Sequence, residues 1–132
     1  MDPSIELLPE QFQINPSLPI YEQFVEAIQG RIVSGLIPPG SRLPSVRELA
    51  AGRGVNPTTA ARTYQELERV GLIVTYRGQG TFVTREEEVI GEARKAIMRK
   101  AIREFKAVAG TLGISAEQML NFDKEDSNAS ES

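Results

Sequence analysis

The sequence contains neither cysteine nor histidine. Without cysteine it can form no disulfide, offer no thiolate to a metal and supply no thiol nucleophile. Without histidine it lacks the commonest general base and the commonest transition-metal ligand. Carboxylates, serines and lysines remain, but they come with no glycine-rich phosphate loop, no nucleophile elbow and no paired carboxylates in a recognisable setting. An enzyme is therefore not expected, and no cofactor or metal is implied. There is also no apolar run near the roughly 20 residues needed to cross a bilayer, and no basic-then-apolar signal segment at the start. These absences fit a cytoplasmic chain with no membrane partner.

What is present is enough for one domain with an appendage: 132 residues, 40% of them hydrophobic. The net charge of −3 conceals an uneven distribution. Residues 1–30 carry five acids and no base, and residues 86–132 carry ten acids and seven bases. Between them, residues 31–85 hold eight arginines against Glu48, Glu66 and Glu68, a local balance of +5. This middle stretch is the part able to meet a polyanion. The plainer reading of the same charges is a solvated arginine face.

The order of elements gives that stretch a shape. Residues 1–16 are acidic and contain Pro3, Pro9 and Pro16, which reads as an arm with an extended piece around Phe12–Ile14. Pro19 suits a first helical turn, and Tyr21, Phe24, Val25, Ile28 and Ile32 then recur at helical spacing. Gly35 and Pro38-Pro39-Gly40 end that helix. Ser45-Val46-Arg47-Glu48 is a capping box, predicting a short helix to about Ala51 that Gly52 and Gly54 break. Asn56 and Pro57 then open a second helix, with Ala60, Tyr64, Leu67 and Val70 inward and Gly71 as its stop. A short capped helix meeting a longer one across a glycine turn is the helix-turn-helix layout. Directly behind it, Leu72–Tyr76, the turn Arg77-Gly78-Gln79-Gly80 and Thr81–Thr84 read as a hairpin, or wing, with Arg42-Leu43 a candidate third strand.

From Glu86 a long helix carries Ile90, Ala93, Ile97, Ala101, Phe105, Val108 and Leu112 at steps of three or four. Ser115-Ala116-Glu117-Gln118 is a second capping box, opening a short helix with Met119, Leu120 and Phe122. The fold class expected is mostly α with a small β-hairpin. An arm (1–16) precedes a winged helix-turn-helix (17–84), followed by a two-helix dimerisation segment (85–122) and a disordered acidic tail (123–132).

Five ordered blocks carry a family resemblance. They are Pro19-Ile20-Tyr21-Glu22-Gln23, the run Pro39 to Ala50, Gly54-Val55-Asn56-Pro57-Thr58-Thr59, the run Tyr64 to Ile73, and Arg77-Gly78-Gln79-Gly80-Thr81-Phe82-Val83. Together they resemble the DNA-binding domain of GntR-family regulators, and the short remainder resembles the YtrA-like branch. The resemblance implies a dimeric repressor that pairs through its two C-terminal helices. Longer-tailed members of the family often place arginines where this chain has Pro57 and Ala61; here an arginine falls at position 62.

A helix-turn-helix sets the start of its second helix against base edges, which nominates Thr58, Thr59 and Arg62. A helix start also offers unpaired N–H groups to a phosphate. The alternatives are helix-start chemistry for the threonines and pairing with Glu66 for Arg62. Arg47 lies in the first turn of the short helix, where a cation is unfavourable for the helix dipole unless an anion is near; the resemblance places a DNA-contacting arginine here. Arg77 and Gly78 at the wing tip can approach the backbone or minor groove. Arg42 and Arg53, with Arg69, are candidates for phosphate contacts, and Tyr64 sits on the apolar stripe as core. Ile90, Ile97, Phe105, Val108 and Leu112 are the expected dimer residues, the alternative being that the helix folds back on its own domain. The partners expected are double-stranded operator DNA, a second copy and, left open, a small apolar effector in the dimer cleft. The competing function is a winged-helix module that docks an acidic protein.

Overall fold

The computed structural model describes residues 6–131, with side chains as far as Lys124. Helix α1 spans Ile20–Val33 and buries Phe24, Ile28 and Ile32, four residues apart and therefore on one face. A two-residue strand β1 (Arg42–Leu43) leads to α2 (Val46–Arg53) and α3 (Pro57–Arg69), then strands β2 (Ile73–Tyr76) and β3 (Gly80–Val83), and finally α4 (Glu87–Thr111) and α5 (Ala116–Glu131). The strands form one antiparallel sheet in the order β1-β3-β2, with β3 central. Ile73 lies opposite Val83 and Val74 opposite Phe82. Ile73 and Val83 are buried, whereas Val74 and Phe82 are only half-buried. Alternation along the strands thus gives the sheet one core face and one outer face. This is the winged helix expected, mostly α with a small hairpin, and Arg42-Leu43 supplies the third strand by pairing with Phe82 and Thr81.

The helices start where local chemistry directs. The Glu48 N–H donates to Ser45 Oγ and the Ser45 N–H donates to Glu48 Oε1, each over 3.0 Å. Gly52 does not break α2. A glycine inside a helix costs only about 1 kcal/mol, and the helix runs on to Arg53, ending where Gly54 takes the left-handed conformation at φ 64°. Asn56 caps α3 and Pro57 is its first residue. Val70, read as inward, is 36% exposed at the helix end, and Thr63 is buried instead. That side chain tolerates full burial because its hydroxyl donates to the Thr59 carbonyl at 2.9 Å.

The N-terminal segment, read as an arm, packs into the core from Leu7 to Phe12. Leu7 and Leu8 are buried in the core of α1, α2, α3 and the sheet. Phe12 meets Phe24 edge-on, with ring centroids 5.7 Å apart. Burying a leucine is worth roughly 1.5–3 kcal/mol, which outweighs the preference of an acidic, proline-containing stretch for solvent. Polar groups seal the arrangement: Arg53 Nη1 donates to the Pro9 carbonyl at 2.7 Å, Arg53 Nη2 to that of Leu8 at 2.5 Å, and Arg31 Nε to that of Glu6 at 3.2 Å.

The chain divides into two compact units, one ending at Arg94 and the other beginning at Lys95. Helix α4 runs through this boundary, so its first two turns belong to the winged unit. Ile90, expected at a dimer interface, is accordingly buried at 6% exposure in the winged unit's core. Arg94 fixes the same stretch by donating to the Val33 carbonyl. In the second unit the Ser115 box forms as read, Gln118 taking the place of glutamate. The expected disorder from residue 123 is corrected by α5, which is helical as far as Glu131. No glycine or proline follows Gly113, so nothing in the sequence stops the helix.

Candidate nucleic-acid interface

The helix-turn-helix is held by a closed set of bonds. The Val55 N–H donates to the Ala50 carbonyl at 3.1 Å across the Gly54 turn. The Tyr64 hydroxyl of α3 donates to the Pro44 carbonyl just ahead of α2, at 2.5 Å. Burial, and secondarily the Glu48 carboxylate, pushes the Tyr64 phenol well above its ordinary value, so it keeps its proton. This confirms Tyr64 as a core residue that sets the two helices against each other. The wing is tied to α3 as well: Thr75 Oγ1 donates to Glu68 Oε1 at 2.7 Å and lies 3.1 Å from Thr81 Oγ1.

On this frame the candidate residues have different settings. Arg47 is exposed in the first turn of α2, and Arg77 and Gly78 are exposed at the wing tip. Gly78 has φ 80°, a conformation that favours glycine. Arg42 is exposed on β1 and runs across β3: a side chain at Gly80 would put its Cβ 3.0 Å from Arg42 Nε. Gly80, read as a turn residue only, therefore also makes room for an arginine. The strand register that opposes Arg42 to Phe82 could have signalled it. Arg42 and the two hydrogen bonds from Ser45 act on Glu48 together. The backbone bond has the largest effect, and the Glu48 carboxyl falls below its ordinary 4.5.

Thr58 is exposed and Thr59 half-exposed at the start of α3, but the helix end does not offer free donors. The Thr58 N–H donates to Asn56 Oδ1 at 2.8 Å and the Thr59 N–H to the Asn56 carbonyl at 2.9 Å, while Pro57 has no N–H. Any contact from this end is therefore made by side chains. Arg62 does not pair with Glu66, whose Oε2 instead accepts from Arg69 Nε and Nη2 at 3.1 Å each. Its guanidinium lies over the ring of Tyr21 in α1, Cζ 4.0 Å from the centroid. Arg53 is half-buried and occupied by the N-terminal segment. Tyr21 and the Leu7–Leu8 pair are the residues that sequence reasoning missed: the first was read only as part of an apolar stripe, the second lay inside an acidic arm.

Among the expected dimer residues beyond Arg94, Ile97, Val108 and Leu112 are 37%, 47% and 63% exposed, and Phe105 is half-buried. Met98 and Ile102 of the same helix are 50% and 52% exposed. Among the described residues no group of acidic side chains is arranged to hold a metal ion, and no helix is long and apolar enough to cross a membrane.

Comparison with known proteins bears on this geometry directly. The family model described as bacterial regulatory proteins, gntR family, matches residues 20–83, which run from α1 to the end of the wing. The HTH-type transcriptional regulator YhcF of Bacillus subtilis is 42% identical over 82% of this chain and 89% of its own length. The chain belongs to the GntR family. The HTH-type transcriptional repressor YtrA of the same organism is 36% identical over 86% of this chain and 89% of its own length, so the short-tailed YtrA-like branch of the GntR family fits. A GntR family transcriptional regulator from Listeria monocytogenes superposes with a TM-score of 0.78 at 38% identity, over 85% of this chain and 98% of that one. This GntR-family protein is thus a transcriptional regulator with a DNA-binding winged helix, and its relatives are named as regulators rather than as enzymes.

Proposed function

We propose that the protein is a cytoplasmic repressor that binds a pseudo-palindromic operator in double-stranded DNA as a homodimer. The observation that supports this reading is the presence of exposed arginines on several parts of a winged helix: Arg47 on α2, Arg62 on α3, Arg77 at the wing tip and Arg42 on β1. None of these cations is in a described ion pair, although the Arg42 charge acts on Glu48 and Arg62 lies over the Tyr21 ring, whereas Arg53 and Arg69 are hydrogen-bonded within the protein. Thr58 and Thr59 stand at the end of α3 that such motifs turn toward the bases. Dimerisation through the second unit is supported by the apolar side chains it leaves exposed, since single copies rarely display so many together. A two-fold dimer would read half-sites about 10 bp apart or a multiple of it. Repression is supported by the name of the YtrA relative.

The test is fluorescence anisotropy with a duplex that the protein selects from a random-sequence pool, titrated with salt beside a scrambled duplex. The expected result is salt-sensitive binding that favours the selected duplex by ~10³-fold or more. Arg47→Ala should weaken that binding by roughly 10- to 100-fold with folding intact. Equal weak binding to both duplexes would overturn the proposal and favour a protein-docking module.

A further inference from the structure

We infer that Tyr21 is a positioning residue for DNA recognition, holding the guanidinium of Arg62 ready for a pair of acceptors on the operator. The inference rests on the DNA-binding reading above and deepens it. Tyr21 lies in the first turn of α1 and is half-buried. Its hydroxyl reaches the neighbouring Glu22 Oε1 at 3.2 Å, which leaves the face of the ring for Arg62. The Arg62 guanidinium, Cζ 4.0 Å from the ring centroid, is within cation–π range. The one acid at helical reach, Glu66, is taken by Arg69. The guanidinium thus has one face covered and its N–H edge free of any described hydrogen bond. A planar fork presented in this way matches the O6 and N7 of a guanine, or two oxygens of one phosphate.

Arg62 is the first cation of α3. An unsupported arginine on a helix surface has many rotamers to give up on binding, and that ordering weakens affinity. Stacking on Tyr21 orders the side chain beforehand, from an element outside the helix-turn-helix.

The experiment is a double-variant cycle on the full chain, measured by anisotropy against the selected duplex and against duplexes changed at single base pairs. Thermal unfolding of each variant controls for folding. Arg62→Ala should lose roughly 10- to 100-fold in affinity. Tyr21→Leu should lose roughly 2- to 5-fold, the worth of an exposed cation–π contact, and Tyr21→Phe, which keeps the ring, should stay within about 2-fold. Combined with Arg62→Ala, Tyr21→Leu should cost nothing more. Loss of discrimination at one base pair in the Arg62 variant identifies a guanine as the acceptor; a uniform loss with a shallower salt slope identifies a phosphate. Equal losses from Tyr21→Phe and Tyr21→Leu, additivity in the double variant, or an unaffected Tyr21→Leu would each overturn the inference. Selection that enriches no duplex would instead overturn the DNA-binding reading itself.

Discussion

Glu48 shows how much of this molecule rests on single side chains making two bonds at once. Its carboxylate caps α2 and faces Arg42, and both interactions favour the charged form. A carboxyl whose value is lower in the folded state stabilises the fold at any pH above its ordinary 4.5, and that contribution disappears as pH falls through the lowered value. Glu48→Gln keeps both capping hydrogen bonds without a titrating group. In urea unfolding it should lose less stability than the parent between pH 5 and pH 3, and an unchanged acid dependence would show that Glu48 does not supply it. The capping box was legible because all of its atoms lie within four residues. The stack of Arg62 on Tyr21 was not, since it joins side chains 41 positions apart, and sequence offered the nearer Glu66 as the obvious partner.

At the scale of elements, the N-terminal segment behaves as part of the core. Leu8→Ala should lower unfolding stability by about 2–5 kcal/mol, measured by urea denaturation; a change under ~1 kcal/mol would mean that the segment contributes little. Arg53→Met separates the two uses considered for that residue. Releasing the Leu8 and Pro9 carbonyls should destabilise the fold by roughly 1–3 kcal/mol while leaving the salt slope of DNA binding unchanged, whereas loss of a phosphate contact would reduce that slope by about 1. Helix starts and stops, the wing and its edge strand could be read because caps, glycines and alternation act locally. The burial of Leu7 and Leu8 could not, because it is decided by α1, α2 and Arg53. The helical extent of α5 was missed for a related reason: acidic, serine-rich composition suggested disorder, while the lack of any glycine or proline after Gly113 left the helix uninterrupted.

At the scale of the whole molecule, periodicity gave the apolar stripe of α4 but not what each part of it packs against. Ile90 and Ile97 lie two turns apart on the same stripe, yet one is core and the other exposed. The proposed dimer therefore draws on residues from Ile97 onward. Ile102→Glu combined with Leu112→Glu should convert a dimer to a monomer in sedimentation equilibrium and leave thermal unfolding of the winged unit intact. Affinity for a two-half-site duplex should fall to that for a single half-site. A variant that stays dimeric would place the interface elsewhere.

The bond from Arg53 to the Leu8 carbonyl spans 45 residues. On a ribosome adding about 5–20 residues per second, Leu8 is made roughly 2 to 9 seconds before the guanidinium that will hold it. Phe12 meets Phe24 of the earlier-made α1, but the Leu8 and Pro9 carbonyls have no Arg53 donor until the last residue of α2 is made.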